Sequence, residues 1–195
     1  MKKTFFLMAF LVVLCSVSFG AEYAFDKGST MFGLTAGFLN ASGDLYENPD
    51  KKPFTALLLT HQVACFVMPR LGVGGDLLVF LTQQGANKST TLGVGPKLMY
   101  FFGEKDKKAN PFVTSGFYLI RNDVEYWGLM NDSYYGTRFK LGGGTNVMLS
   151  RHLGLLIEAS YNMDNLTLEG KAEEKDKSEA GVMVIITMGL VGFFF

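Results

Sequence analysis

Five charged residues stand singly within apolar stretches of the sequence and are the first candidates for chemistry. They are Asp76, Lys97, Arg138, Lys140 and Glu158, and none has a charged neighbour next to it in the chain. A charge inside a low-dielectric interior costs several kcal/mol unless it is paired. We therefore expect Asp76 to pair with Lys97, and Glu158 to pair with Arg138 or Lys140. These pairs could form a salt-bridged core that fixes strand register, or a gated narrow conduit in which the pairs open.

The sequence offers little for catalysis or metal binding. Its two histidines, His61 and His152, lack the partners of a nucleophilic triad, because His61 has no adjacent Ser and no acid on its own strand face. No His, Cys and carboxylate residues cluster at the spacing of metal ligands. The glycines at 142–144 do not open a helix after a strand, so they do not indicate a phosphate loop. We expect no enzymatic activity and no cofactor.

Eight apolar segments must position these residues. Polar clusters rich in Gly, Pro, Asn and Asp separate them, and no segment keeps a helical period with caps. The predicted strands are residues 29–40, 54–67, 71–83, 90–102, 111–122, 134–148, 153–163 and 179–195.

Four of these segments alternate with a period of two, which is the strand signal. They are 71–83, 90–102, 134–148 and 153–163; one face of each is apolar, and the other carries mainly Gly with single charges. A soluble sandwich would place Lys, Glu and Thr on its polar face. Gly with an isolated charge instead suits the cramped inside of a closed barrel whose apolar face contacts lipid. A soluble lipocalin-like barrel, with the apolar parity inside, is the alternative.

The last segment is apolar on both parities. The sequence predicts that Val191, Phe193 and Phe195 face outward. The opposite parity is predicted to line a packed lumen, and it comprises Val184, Ile186, Met188, Leu190 and Phe194.

The connections between segments differ in length at the two ends of the predicted barrel. Short turns are predicted at 68–70 and 149–152, with a slightly longer one at 103–110; longer polar loops are predicted at 40–53, 84–89, 123–133 and 164–178. Short periplasmic turns and long outer loops are typical of outer-membrane barrels. Outward aromatic residues are predicted near the strand ends: Tyr100, Phe102, Phe193 and Phe195 on the periplasmic side, and Phe38, Tyr135 and Tyr161 on the outer side.

The N-terminus indicates export. Lys2 and Lys3 precede an apolar stretch at 5–15, and small residues at 18 and 20 suit cleavage before Ala21. We predict a signal peptide over 1–20, the alternative being a retained anchor, and one barrel domain over 21–195. Removing 1–20 leaves 16 basic residues against 18 acidic ones, and the absence of a basic cluster argues against nucleic acid as a partner.

Three stretches resemble the small eight-stranded outer-membrane barrels of the OmpA/OmpX type. They are residues 65–75, 111–116 and 192–195, and the resemblance covers the whole mature chain. It implies an all-β fold, an eight-stranded antiparallel up-and-down transmembrane barrel in the outer membrane of a Gram-negative bacterium. In such proteins the assembly machinery reads the last strand, which makes Phe193 and Phe195 the expected assembly signal.

The resemblance implies a structural or surface-interaction role, such as membrane integrity or loop display. A narrow porin-like channel is the first alternative. A lipid-modifying enzyme is the second, although the His–Ser pair of outer-membrane lipid A deacylases is absent. The expected partners of a monomeric barrel are membrane lipid, the assembly machinery and a surface ligand bound through the loops. Aromatic residues dominate binding hot spots, so Tyr126, Trp127 and Tyr134 are the predicted loop contacts.

Overall fold

The computed structural model describes residues 23–41, 54–103, 107–126, 130–168 and 178–195, so the predicted signal peptide lies outside the described residues. Eight strands follow one another along the chain, and all eight predicted segments are confirmed as strands. They are β1 Thr30–Ala41, β2 Phe54–Met68, β3 Leu71–Gln84, β4 Asn87–Phe101, β5 Ala109–Tyr126, β6 Met130–Met148, β7 Leu153–Leu168 and β8 Ser178–Phe194. No helix in these residues is long and apolar enough to cross a membrane.

The strands form one closed antiparallel barrel in sequence order. Each strand pairs with the next, and β1 closes the barrel by pairing with β8 from Thr30 opposite Phe194 to Ala36 opposite Met188. Closure matters because a sheet edge in hydrocarbon leaves backbone groups without hydrogen-bond partners. The predicted eight-stranded up-and-down barrel is confirmed.

Alternation divides each strand into an outward and an inward parity, and the predicted facing is confirmed in β3, β4, β6 and β7. Large apolar side chains are exposed around the whole outer surface: Leu34, Phe38, Leu77, Leu92, Leu98, Val113, Leu119, Phe139, Leu141, Ile157, Val184 and Ile186. We name this surface the apolar belt. Among the outward aromatic residues predicted near strand ends, five are exposed: Phe38, Tyr100, Phe102, Tyr135 and Tyr161.

The predicted facing of β8 is wrong. Phe193 is 1% exposed and Val191 is fully buried, so both point into the lumen. The side chains predicted to line the lumen face outward instead: Val184, Ile186, Met188, Leu190 and Phe194. Phe195, also predicted to face outward, packs against the buried residues and stacks on His152 with ring centroids 4.6 Å apart. Since both parities of β8 are apolar, alternation alone carries no information about its facing.

The long loops predicted at 84–89 and 123–133 are also wrong. β3 and β4 are joined by a two-residue hairpin turn, Gly85 and Ala86, in which Gly85 has φ 65°. β5 and β6 remain paired as far as Tyr126 opposite Met130. Both hairpins lie at what we name the loop end of the barrel. The opposite turn end holds the short connections after β2 and β6, and Arg70 in the first of these has φ 70°.

Candidate functional site in the barrel lumen

The five predicted lumen charges all point inward and lie near the middle of the barrel. Asp76, Lys97, Arg138 and Glu158 are buried, and Lys140 is largely buried. Asp164, which the sequence analysis assigned to a loop, joins them as a sixth charge. We name these six residues the ion-pair layer. With three cations and three carboxylates, it is neutral when all of its members are charged.

Lys97 is the centre of this layer. Its Nζ donates to Gln62 Oε1 at 2.6 Å and lies 3.4 Å from Asp76 Oδ2 and 3.7 Å from Glu158 Oε2. Tyr118 donates its hydroxyl hydrogen to the same Asp76 oxygen at 2.8 Å. The predicted pair of Asp76 with Lys97 is therefore confirmed. One lysine on β4 thus connects side chains from β2, β3 and β7 across the lumen.

Glu158 was predicted to pair with Arg138 or Lys140, and the structure pairs it with Lys140. The distance from Lys140 Nζ to Glu158 Oε1 is 2.5 Å. The alternative pair of Glu158 with Arg138 is wrong, because Arg138 binds Asp164 through two parallel hydrogen bonds of 2.6 Å. The two residues are directly opposite each other on β6 and β7. A bidentate pair of this kind is the strongest geometry that Arg and a carboxylate can form.

Glycine provides the room for this layer. Gly116 lies opposite both Lys97 and Lys140, and a Cβ there would come within 2.5 Å of the Tyr118 hydroxyl. Any larger residue would push the Tyr118 ring away from Asp76. The Gly-rich inward parity predicted from the sequence thus leaves space for long side chains to cross the lumen.

An apolar cluster fills the lumen at the turn end. We name it the turn-end cluster, and its buried members are Ala24, Phe25, Met31, Ala64, Phe66, Met99, Phe101, Phe112, Leu156, Val191 and Phe193. Phe25 belongs to the segment that precedes β1 and stacks on Phe101 at 4.4 Å between ring centroids. Its edge contacts are with Phe66 and Phe193.

Backbone hydrogen bonds hold the segment before β1 in place. Arg70 N donates to Phe25 O at 2.7 Å, and Gly28 N donates to Phe66 O at 2.8 Å. Ser29 is fully buried, and its hydroxyl donates to Ala24 O at 2.7 Å. Residues 23–29 therefore close the turn end of the barrel. This segment carries no clear sequence signal, because it is too short to show a period.

A second, smaller apolar cluster lies at the loop end. We name it the loop-end cluster, and its buried members are Ala56, Leu58, Leu78, Phe80, Tyr118 and Ile120. Phe80 lies against the ion-pair layer, with the Arg138 guanidinium carbon 5.8 Å from its ring centroid. The layer is thus covered by apolar side chains towards both ends.

Among the residues that the structure describes, neither histidine has the partners of a nucleophilic triad beside it. His61 is exposed on the outer face of β2, opposite Leu34 on one side and Leu77 on the other. His152 Nδ1 is 3.0 Å from the carbonyl oxygen of Phe193. Its ring, stacked on Phe195, fastens the end of the chain to the turn between β6 and β7.

Two of the three predicted loop contacts lie in strands of the barrel. Tyr126 is the last residue of β5, and Tyr134 is a half-buried residue within β6, opposite Asn122 and Leu168. Trp127 lies outside the described residues. Tyr134 is therefore part of the paired barrel wall and not of a free loop.

Comparison with solved structures identifies the fold. Neisserial surface protein A is similar with a TM-score of 0.50 and 12% sequence identity, over 86% of this chain and 95% of that one. Two Pseudomonas aeruginosa proteins also match: outer membrane protein OprG has a TM-score of 0.48 and 15% identity over 87% of this chain and 97% of its own. The N-terminal β-barrel domain of OprF has a TM-score of 0.47 and 12% identity over 86% and 98%.

The fold is that of the small outer-membrane barrels, which agrees with the predicted resemblance. At these identities the similarity concerns the fold alone. No protein-family model and no curated protein sequence matches the chain.

Proposed function

We propose that the chain is an integral outer-membrane barrel with a structural or surface-interaction role and no open pore. The observation that carries this proposal is the filling of the lumen. A neutral ion-pair layer lies between two apolar clusters, and residues 23–29 cover the turn end. Moving an ion through this interior requires breaking buried pairs and passing apolar side chains, both of which cost several kcal/mol.

Planar-bilayer recording separates this role from a narrow channel. We expect the purified, refolded barrel to give no conductance steps above the bare bilayer. Lys97→Ala gives the sharper comparison, because a conduit gated by the ion pairs must conduct more when its central lysine is removed. Since the clusters above and below Lys97 remain, we expect this variant to be silent as well. Reproducible steps from either protein contradict the closed lumen.

Membrane insertion is supported by the apolar belt together with closure of the barrel between β1 and β8. A soluble protein rarely exposes an apolar patch larger than a few hundred Å², whereas here exposed apolar side chains surround the whole barrel. We therefore propose that residues 1–20 direct export of the chain. The barrel then resides in the outer membrane, where its apolar belt contacts lipid. Fractionation of cells that express the full chain tests it, with recovery in the soluble periplasmic fraction as the opposing result.

Recognition of the last strand by the assembly machinery is a further part of this role. The buried position of Phe193 means that its side chain is accessible to a receptor only before the barrel closes. Phe193→Ala also removes a member of the turn-end cluster, so reduced stability alone does not test recognition. Phe194 is 60% exposed and therefore gives the matched control. We expect Phe193→Ala to slow assembly in cells more than Phe194→Ala, while both variants refold in detergent.

A lipid-modifying activity would need His61, which lies among apolar residues on the belt. We propose no enzymatic activity for the chain. His61→Ala should therefore leave the membrane lipid profile of the expressing cells identical to that of the wild type. A changed profile would return this histidine to consideration as a catalytic residue.

A further inference from the structure

The junction between β1 and β8 is paired along only part of its length. The register between the two strands ends at Ala36 opposite Met188. Towards the loop end, β1 continues to Ala41, and β8 extends back to Ser178. β8 remains paired with β7 over this stretch, as far as Thr167 opposite Ser178. Within the described residues, the barrel wall therefore has a seam between β1 and β8 whose strand register covers only the turn-end half.

A cavity of about 200 Å³ lies at this seam. Its inner wall comes from the loop-end cluster, namely Ala56, Leu58 and Phe80. Its outer rim comes from the belt, namely Phe38, Val184 and Ile186, which are 70%, 67% and 68% exposed. The cavity thus connects the inside of the barrel with the surface that faces hydrocarbon.

At the side of the cavity that faces the turn end, β1 and β8 approach each other closely. A Cβ at Gly37 would lie 2.7 Å from the Ile186 carbonyl oxygen, so only glycine lets the strands come together here. Deeper in the lumen, Phe80 separates the cavity from Arg138, whose charge is matched by Asp164. An occupant of this cavity therefore contacts apolar side chains and does not reach the ion-pair layer.

We propose that this seam cavity binds the acyl chain of a lipid from the surrounding membrane. The inference rests on the proposed function, because the belt must lie in hydrocarbon for a lipid chain to meet the opening. Inside a membrane, an empty apolar cavity leaves its wall atoms without van der Waals partners. A flexible hydrocarbon chain that enters from the side supplies those contacts, while its headgroup stays outside the barrel. The cavity holds several methylene groups and not a whole lipid.

Photo-crosslinking in a defined bilayer tests the site. The barrel is reconstituted in phosphatidylcholine vesicles containing phosphatidylcholine with a diazirine near the end of one acyl chain. After irradiation, peptide mapping by mass spectrometry locates the attached lipid. We expect the peptides around residues 37–38, 56–58 and 183–186 to carry at least threefold more label than belt peptides of β4 to β6. Equal labelling of all strands would show ordinary surrounding lipid and overturn the site.

Variants that fill the cavity provide the controls. Ala56→Phe places a ring in the inner wall and should reduce the seam labelling to the level of the other strands. Met183→Phe, at a half-buried position on the β8 side, serves the same purpose if Ala56→Phe fails to fold. Val113→Phe adds bulk to the belt on β5 and should change nothing at the seam. Seam labelling that survives both filled variants contradicts the proposal.

The two proposals fail in different ways. If no strand is labelled while the protein remains folded, the belt does not lie in the bilayer, and the membrane proposal fails together with the site. If the belt is labelled evenly and the seam is not favoured, the barrel is inserted and only the lipid site is wrong.

Discussion

The two ends of the barrel close their interior by different means. At the turn end, residues 23–29 add a layer of packing below the strands, and Phe25 contacts three other aromatic rings. At the loop end, fewer buried apolar residues fill the lumen, and a cavity remains between β1 and β8. The strand pairing also differs between the two ends, because the register of β1 with β8 covers only the turn-end half of these strands.

This difference indicates where the barrel is rigid and where it has freedom to change. Side chains that interdigitate without voids transmit strain and resist rearrangement. Groups beside a cavity lack some of these contacts and move at lower cost. The turn end also borders a cavity, of about 370 Å³ beside Ala24, Met148 and Phe195. Its closure therefore depends on the ring contacts of Phe25 and on the register of β1 with β8. The loop end has more freedom to change its side-chain packing.

The largest expected effect comes from the layer that separates the two ends. Lys97→Met leaves Asp76 and Glu158 buried without their shared cation, and breaking a buried pair costs about 3–5 kcal/mol. We expect the free energy of unfolding in urea, measured in phospholipid vesicles, to fall by that amount. Lys88→Met changes an exposed lysine of the same strand and should cost under about 0.5 kcal/mol. Equal losses in the two variants would mean that the ion-pair layer does not support the barrel.

A matched pair of leucines compares the ends directly. Leu156 is fully buried in the turn-end cluster, whereas Leu58 borders the seam cavity at the loop end. Removing the same atoms should cost about 4 kcal/mol for Leu156→Ala and about 2 kcal/mol for Leu58→Ala, because the loss grows with the quality of the original packing. Urea unfolding of both variants measures this difference. If Leu58→Ala is the more costly, the contrast between the ends is wrong.

The sequence predicted the barrel and its lumen charges where one parity differed clearly from the other. In β3 and β4, Gly and a single charge alternate with large apolar residues, so the facing of Asp76 and Lys97 followed directly. The pairing of these two residues was predictable as well, because a buried charge is costly unless an opposite charge on a neighbouring strand pairs with it.

The prediction failed where the two faces of a strand have similar residue types. Both parities of β8 are apolar, and the clues to its true facing, Thr187 and Gly189 on the inward parity, are weak. At the loop end the strands extend beyond the apolar belt, where polar residues on both faces resemble a loop. Asp164, the partner of Arg138, lies level with the belt, but the clear alternation of β7 ends just before it, so the sequence places it in the following loop. The partners Gln62 and Tyr118 were missed because their contacts depend on which side chains cross the lumen.

A single hydroxyl connects the loop-end cluster with the ion-pair layer. Tyr118 belongs to that cluster, and its hydroxyl donates to Asp76. Tyr118→Phe keeps the ring and removes this hydrogen bond to a charged group, so we expect a loss of about 1.5–2 kcal/mol in urea unfolding. Tyr161→Phe changes a tyrosine exposed on the outer face of β7 and should cost less than about 0.5 kcal/mol. A loss below that of Tyr161→Phe contradicts the proposed connection.

The smallest effect concerns the loop end beyond the apolar belt, where the β5–β6 hairpin carries a polar group on its surface. Asp123 Oδ1 accepts hydrogen bonds from the Ser133 hydroxyl at 2.6 Å and from Arg121 Nε at 3.0 Å. The Ser133 hydrogen bond, together with Arg121, lowers the pKa of Asp123 below its ordinary value of 3.8. Because the folded pKa is depressed, this stabilisation is fully present above the unfolded pKa and is lost as the pH falls through the lower, folded value.

For such an exposed group the effect on stability stays below about 1 kcal/mol, so direct titration is the better measurement. We expect NMR titration of the Asp123 carboxyl carbon to give a midpoint below 3.8. Ser133→Ala should move that midpoint upward, because it removes the main hydrogen bond to the charged form. The turn end should be insensitive to this change. An unaltered midpoint in Ser133→Ala would show that the hairpin does not hold these two side chains together, and that its pairing at the loop end is looser than the strand register indicates.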